Sequence, residues 1–321
     1  MQTTALQQQG AVLLAQSDGC SVWQFRGETG DGTMSVYEVL PGVLLSFNDF
    51  HMERFESSFT PGENLFAVDH CRTGRMEYAP ADGMLAYTQA GDMKLDLRRH
   101  HTGTFVFPSH HYHGLTVAFD RDLAERALAQ QVRAFPVTLE AVISRWKLGD
   151  FPCVIHNPDA AARVFEALYC TPERKRAAYF RVKVLELLLC LDAMELPQTP
   201  AAPAYFYRSQ VETVKAIRAF LEAHVAENFT QQALSNRFGI PMTAMKACFR
   251  SVYGAAIGAW LTGHRMQLAA ELLAREPELS IAEVGGRVGY DNAGKFTQAF
   301  KRSFHTTPSN YRRERGTHHE I

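Results

Sequence analysis

Apolar and polar residues alternate along residues 30–120 in short runs that are typical of β-strands. In "MKLDL" (93–97) and "LTVAF" (115–119) every second residue is apolar, as expected of strands with one buried face. The segments 30–32, 81–83 and 91–92 contain Gly and Asp, which favour turns between such runs. The pattern predicts a β-rich domain built as a small barrel or jelly-roll sheet.

From Asp120 onward, apolar residues recur at steps of three and four, which predicts helices over 122–132, 138–149, 158–170 and 172–191. The last of these segments has the widest apolar stripe. The stripe includes Tyr179, Val182, Leu185, Leu189 and Leu191. A stripe this wide is typical of a helix buried in a core, and a seam between two copies of the chain is the open alternative.

A proline-rich segment interrupts the helical pattern. "LPQTPAAPAY" (196–205) contains Pro197, Pro200 and Pro203, and no helix interior tolerates this spacing. We therefore predict a linker at 196–206. It separates a first domain (1–195), β-rich to about residue 120 and helical after, from a second domain (207–321).

The second domain contains two similar segments, "LSNRFGIPMTAMKACFRSVYG" (234–254) and "VGGRVGYDNAGKFTQAFKRSFH" (284–305). Each reads as a helix, a Gly turn and a second helix. Residues 255–276 between them predict one long helix of roughly 19 residues, or about 28 Å. Major-groove faces on one side of DNA repeat every 34 Å or so, so this helix suits two units that enter successive turns.

Local signals support the second unit. Ser280 and Glu283 have the spacing of a capping box, and Asn292 stands where it can cap the next helix and leave its first N–H groups facing phosphate. In that helix Phe296, Ala299 and Phe300 share one face, which predicts burial. The sequence thus predicts an α+β protein whose second domain is all-α.

Charge and cysteine content narrow the function. Residues 205–321 carry 15 Lys and Arg against 10 Asp and Glu, whereas the whole chain has a net charge of −1. A basic end on an acidic body favours a polyanionic partner. Six cysteines without a C-x-x-C pair argue against a zinc ribbon and against a secreted disulfide framework. No signal peptide or membrane span is visible, so we expect a cytoplasmic protein without membrane contact.

Residues 208–313 resemble the DNA-binding domain of AraC/XylS-type transcription regulators. The resemblance rests on Leu234, Phe249 and Arg265, on "SIAEVGGRVGY" (280–290), on "FTQAFKRSF" (296–304) and on "TPSNYR" (307–312). Two departures are His305, where the family usually has Gly, and Gly286 beside Gly285 in a helix. With "FPSHHYHGLTVAFD" and "RVKVLELLLCL", the chain is most similar to the branch that contains siderophore-responsive regulators.

The resemblance implies which residues contact double-stranded DNA. Base contacts are expected from Thr243, Lys246, Ala247, Ala293, Gly294, Lys295 and Gln298, and phosphate contacts from Arg250, Lys301 and Arg302, with Asn292 at the helix start. Lys can pair with guanine and Gln with adenine, whereas the alanines can only touch a thymine methyl. Taken alone, Lys301 and Arg302 are equally typical of an ordinary solvated helix face.

The resemblance also implies a small-molecule effector, such as an iron chelate, and RNA polymerase as a partner. A homodimer stays an open alternative. No cofactor and no catalytic residue is expected. A ligand-independent activator is another alternative.

The stretch 98–114 concentrates Arg98, Arg99, His100, His101, His110, His111 and His113. His111 and His113 form the H-x-H pair that cupin-type barrels use for metal, but the accompanying Glu is missing. A cupin-like metalloenzyme fused to a DNA-binding module is therefore the alternative to a ligand-binding sensor. Arg98 and Arg99 are predicted to be solvated, with attraction of an anionic effector as the alternative, and Cys71 is predicted to be a buried structural thiol.

Overall fold

The computed structural model describes residues 11–17, 19–58, 60, 62, 64–81, 83–99, 103–132, 134–172, 174–195 and 205–316. The chain divides into two compact units, and the boundary falls between Tyr207 and Arg208. Residues 196–204 of the predicted linker lie outside the described residues. Among the helices that the structure describes, none is both long enough and apolar enough to cross a membrane.

Antiparallel strands form the frame of the N-terminal unit. They are β1 (Val12–Ser17), β2 (Cys20–Gly27), β3 (Gly30–Leu40), β4 (Val43–His51), β5 (Arg54–Ser57), β6 (Leu65–Ala81), β7 (Met84–Gln89), β8 (Asp92–Asp96), β9 (Gly103–Val106), β10 (Tyr112–Asp120), β11 (Cys153–His156) and β12 (Phe206–Tyr207). The main path of neighbours is β1-β2-β3-β4-β10-β6-β7-β12. Strand β6 pairs with β10 and β8 over its first half and with β7 over its second half.

After β10, the described residues of the N-terminal unit form helices that pack on the sheet: α1 (Arg121–Gln131), α2 (Leu139–Arg145), α3 (Asp159–Tyr169) and α4 (Arg176–Ala193). Asp120 caps α1 by accepting from the N–H of Leu123, and Thr138 caps α2 by accepting from the N–H of Ala141. Apolar residues of strands and helices share one core, including Leu45, Val68, Leu95, Val117, Phe165 and Leu188. The predicted β-rich N-terminal half is confirmed, and its cupin or jelly-roll identity stays a prediction.

Two of the secondary-structure predictions are wrong in this unit. The segment after Asp120 is not only helical, because β11 pairs with β8. Residues 30–32 are not a turn, because Gly30 begins β3. A Cβ on Gly32 would lie 2.3 Å from Cδ1 of Phe50, so this glycine leaves room for an aromatic ring on the neighbouring strand.

Helix α4 also differs from the prediction. Its buried face consists of Phe180, Val184, Leu187, Leu188 and Leu191, of which the predicted stripe contained only the last. Three members of the predicted stripe are exposed, with exposed fractions of 39% for Tyr179, 59% for Val182 and 42% for Leu189. The helix is apolar on both faces, so periodicity alone could not decide which face is buried.

Arg98 is buried rather than solvated, which corrects the prediction. Its Nη2 lies 2.5 Å from Oδ1 of Asp69, and Nζ of Lys94 lies 3.2 Å from Oδ2 of the same carboxylate. Burial alone would raise the pKa of Asp69, but Arg98 and Lys94 reverse this effect and hold it well below its usual range. Nζ of Lys94 lies 4.6 Å from the centre of the Tyr78 ring, so a residue in the second half of β6 covers one side of the charged cluster.

All secondary-structure elements among the described residues of the C-terminal unit are helices. Its helices are α5 (Arg208–Ala223), α6 (Gln231–Phe238), α7 (Met242–Tyr253), α8 (Ile257–Arg275), α9 (Ile281–Arg287), α10 (Ala293–Phe304) and α11 (Pro308–Gly316). We call α8 the connecting helix, and its 19 residues agree with the predicted length. Its second half shares a core with the later helices through Met266, Ala269, Leu273, Val284, Phe296 and Phe300.

Candidate nucleic-acid interface

Helices α6 and α7 form the first helix-turn-helix unit. Thr230 caps α6 by accepting from the N–H of Ala233 at 3.1 Å, and Gly239 ends it with a φ of 62°. Gly accepts this left-handed conformation without a steric penalty, which allows the sharp turn into α7. Phe249 of α7 is buried and contacts the ring of Trp260 at the start of the connecting helix. The first unit is therefore held against the first half of the connecting helix.

Helices α9 and α10 form the second unit, and its predicted caps are confirmed. The Ser280 hydroxyl accepts from the N–H of Glu283, whose carboxylate accepts from the N–H of Ser280 at 2.7 Å. Asn292 Oδ1 accepts from the N–H of Lys295 at 3.0 Å. The buried face of α10 consists of Phe296, Ala299 and Phe300, as the spacing predicts. The second unit is thus held against the second half of the connecting helix.

The eleven residues predicted to contact DNA are all exposed. We call ten of them, all except Ala247, the reading face: Thr243, Lys246, Arg250, Asn292, Ala293, Gly294, Lys295, Gln298, Lys301 and Arg302. Thr243, Lys246 and Arg250 are three and four residues apart, so they share one side of α7. Lys295, Gln298 and Arg302 have the same spacing on α10. Their exposure leaves donors available to bases and phosphates, and the contacts with DNA themselves stay a prediction.

The first turns of α7 and α10 present different chemistry. Asn292 caps α10 with its side chain, whereas α7 begins after Pro241 without a side-chain cap. Ala293 and Gly294 carry no side-chain donor, so their N–H groups and Cα atoms are what α10 offers at its start. Those groups suit close approach to a phosphate or to a thymine methyl. Lys295 and Gln298 are therefore the exposed side-chain donors nearest the start of α10, and readout of bases by them stays a prediction.

Three segments meet around one arginine of the connecting helix. Arg265 is buried and donates to the carbonyl oxygens of Val225 and Glu227 and to Oδ1 of Asn228, at 2.8, 2.7 and 3.1 Å. Gly289, in the turn of the second unit, has a φ of 84° and lies against the same guanidinium. We call residues 225–228, Arg265 and Gly289 the joint. Arg265 contributes to the family resemblance, but its acceptors lie 37–40 positions away, so the sequence around it does not indicate them.

The other sequence candidates lie in the N-terminal unit. His100 and His101 lie outside the described residues. His110 Nδ1 faces Glu53 at 3.4 Å, and His111 Nδ1 faces the carbonyl of Ser109 at 3.0 Å. The ring of His113 packs on Tyr169, and its burial lowers its pKa. The structure therefore does not bring His110, His111 and His113 into one set of ligands, and the described residues contain no group of three His, Cys, Asp or Glu placed to hold a metal.

Two further predicted residues have defined surroundings. Arg99 forms an ion pair with Asp150. Cys71 is buried, and burial raises the pKa of its thiol to about 12. A thiol with this pKa stays protonated at neutral pH, so Cys71 has the character of a structural thiol.

The chain is similar to known proteins in the region of the helix-turn-helix units. Residues 234–314 match the family model described as a helix-turn-helix domain. The chain is 30% identical over 133 residues to the HTH-type transcriptional regulator ExsA of Pseudomonas aeruginosa, which covers 39% of this chain and 48% of that protein. It is 30% identical over 96 residues to the HTH-type transcriptional regulator AlkR of Acinetobacter baylyi, which covers 30% of this chain and 31% of that protein.

Among solved structures, the C-terminal domain of AraT, a response regulator from Geobacillus stearothermophilus, is 31% identical. The match covers 32% of this chain and 85% of that chain, with a TM-score of 0.31. The chain spans less than half the length of the two curated relatives named above, so the likeness to them concerns one region. The family match over residues 234–314 begins within α6 and contains α7, the connecting helix, α9 and α10. The helix-turn-helix geometry of the C-terminal unit accordingly agrees with the family model described as a helix-turn-helix domain, which matches residues 234–314.

Proposed function

We propose that this protein is a sequence-specific DNA-binding regulator of transcription. The observation that supports the proposal most is the duplication. Helices α7 and α10 each bury one apolar face in the core and expose one polar face, and the 19-residue connecting helix, about 28 Å long, joins them. A single basic helix face would be an ordinary solvated surface. Two such faces joined by a helix of this length suit two successive turns of a duplex.

The reading face divides into two roles. Lys246, Lys295 and Gln298 can donate to base edges in the major groove, where each good pair discriminates by about 1–3 kcal/mol. Arg250, Lys301 and Arg302 suit phosphates, which position the protein without naming a sequence. Ala293 and Gly294 of α10 add little to the discrimination between bases, so each unit reads a short sequence. High specificity then requires both units together.

We propose further that the N-terminal unit binds a small-molecule effector and that RNA polymerase is the partner at the promoter. The sequence stretches that resemble siderophore-responsive regulators make iron chelates the first effector class to test. A ligand can shift regulation only through different affinities for two arrangements of the protein. The effector therefore acts by coupling, and the mechanism involves no chemical step. Such a regulator works in the cytoplasm, where DNA and polymerase are accessible.

The exposed apolar face of α4 supports a homodimer. Tyr179, Val182 and Leu189 are exposed on a helix whose other face is already buried in the core. Val182→Asp or Leu189→Glu is expected to produce soluble monomers, measured by sedimentation of the intact chain. Leu188→Glu is the matched control, because Leu188 is buried and this change should unfold the unit. If Val182→Asp and Leu189→Glu leave the sedimentation unchanged, α4 is not a dimer seam.

Selection of bound duplexes from a random pool tests the main proposal. The full chain is expected to enrich two short sequences at a fixed separation. The selection is repeated with iron chelates and with other small-molecule extracts, which should change the enrichment if an effector acts. A pool that stays random contradicts sequence-specific binding. Identical enrichment in all conditions favours a ligand-independent activator.

A further inference from the structure

The joint connects the two helix-turn-helix units directly. Residues 225–228 stand immediately before Thr230, which caps the first helix of the first unit. Gly289 forms the turn of the second unit. A Cβ on Gly289 would lie 2.7 Å from the carbonyl oxygen of Ala226 and 2.8 Å from Nη2 of Arg265. The entry to one unit and the turn of the other therefore touch each other and the same side chain.

Arg265 holds this contact with a planar group that donates in three directions. Nε, Nη1 and Nη2 each donate to a different residue of the segment 225–228. The three acceptors are uncharged, namely two carbonyls and an amide oxygen. A guanidinium keeps its donors at fixed angles, so it orients the segment as well as attaching it. The ring of Tyr290, next to Gly289, lies 6.0 Å from the same group on the second unit.

We infer that Arg265 is a positioning residue that sets the separation, in base pairs, between the two sequences that the protein reads. The inference rests on the proposed DNA-binding function. Each unit is attached to its own half of the connecting helix, and the joint adds a direct contact between residues 225–228 and Gly289 at the middle of that helix, where Arg265 lies. Without the guanidinium, the two reading faces keep their chemistry and lose their fixed relative placement.

Base-pair spacing is a sensitive readout of this placement. One inserted base pair moves the second sequence by about 3.4 Å along the duplex and turns it by about 34°. Two units locked together cannot follow such a change and lose the contacts of one unit. Two loosely joined units can follow it. A role in folding alone would lower affinity for every duplex equally and leave the preferred separation unchanged.

The experiment repeats the random-pool selection with the full chain as wild type, Arg265→Met, Arg265→Lys and Arg275→Met. Arg265→Met keeps the aliphatic stem and removes all donors, whereas Arg265→Lys keeps the charge without the planar fork. Arg275 is an exposed arginine of the same helix and serves as the matched control. The wild type and the control are expected to show one separation. Arg265→Met should accept separations one base pair shorter and longer while the two sequences themselves stay the same.

Binding to single duplexes makes the result quantitative. Inserting one base pair into the preferred duplex should weaken the wild type about tenfold and Arg265→Met by less than about threefold. Should Arg265→Met fail to fold, as thermal unfolding shows, Arg265→Lys decides the question by the same ratio. Unchanged separation in the folded variants overturns the inference and leaves the DNA-binding proposal intact. If the wild type enriches no sequence, or only one, the proposed two-unit function fails, and the inference fails with it.

Discussion

The two helix-turn-helix units follow one plan and differ where the backbone turns. The first turn uses Gly239, with a φ of 62° and open space where a Cβ would stand. The second uses Gly289, with a φ of 84° and three atoms closer than 3 Å to that position. The first glycine is required by backbone conformation alone, and the second also by close packing.

The C-terminal ends of α7 and α10 also differ. Helix α7 ends at Gly254 with a φ of 78°, whereas α10 ends at His305 with a φ of 57°. A side chain in this left-handed conformation is strained, because its Cβ approaches the following carbonyl. Compared with the first unit, the second unit therefore has a more closely packed turn and a more strained backbone at the end of its second helix. Equivalent positions of duplicated units thus carry unequal constraints.

Replacing the turn glycines should produce the largest difference in stability between the two units. Gly289→Ala is expected to cost about 3 kcal/mol, since left-handed strain adds to displacement of Ala226 and Arg265. Gly239→Ala should cost about 1 kcal/mol, because strain acts alone. Amide hydrogen exchange of residues 231–253 and 281–304 in the intact chain measures both. Equal costs would contradict the crowded second turn.

Alanine substitutions on the reading faces should show which unit specifies bases. Lys295→Ala and Gln298→Ala are each expected to relax sequence preference by about 1–3 kcal/mol, and Lys246→Ala to do so for the other sequence. Arg302→Ala should weaken binding to all duplexes alike and lower the salt slope by about one. Titration against matched and mismatched duplexes at several salt concentrations gives both quantities. If all four variants bind every duplex as the wild type does, α7 and α10 are not the reading helices.

Giving both helix ends the same residue should make the two units alike in stability at that position. His305→Gly is expected to stabilise the second unit by about 1 kcal/mol, and Gly254→His to destabilise the first by a similar amount. Hydrogen exchange at the ends of α10 and α7 is the measurement. A destabilising His305→Gly would show that the histidine side chain contributes more than its backbone strain costs.

The smallest effect concerns the paired glycines of α9. Gly286 is exposed with open space around its Cβ position, so Gly286→Ala should stabilise α9 by about 1 kcal/mol. A Cβ on Gly285 would lie 3.3 Å from the ring of Phe296, so Gly285→Ala should gain less or cost stability. Unfolding of the two variants side by side tests the order. The reverse order would mean that α9 and α10 pack less closely than the structure shows.

Features that depend on residues close in sequence were predictable. The capping box of Ser280 and Glu283 and the Asn292 cap each join residues three apart, so spacing alone revealed them. The buried face of α10 and the length of the connecting helix followed from periodicity for the same reason. The exposure of the reading face followed once the apolar face of each helix was assigned.

Features that depend on distant partners were not predictable. Asp69 and Arg98 are 29 positions apart, and only the pairing of β6 with β8 brings them together. Arg265 reaches acceptors 37–40 positions away, and nothing in its local sequence indicates them. Helix α4 is apolar on two faces, so the choice between them is made by the sheet against which it packs.

The exposed reading face has a consequence for how such a protein can evolve. None of its ten residues is part of the buried core, so most substitutions there change stability by less than about 0.5 kcal/mol. Under the proposed function, new target sequences are then reachable by single steps without an intermediate that fails to fold. A few codon changes in α7 and α10 would redirect the protein to other duplexes, while the remainder of the molecule is inherited intact.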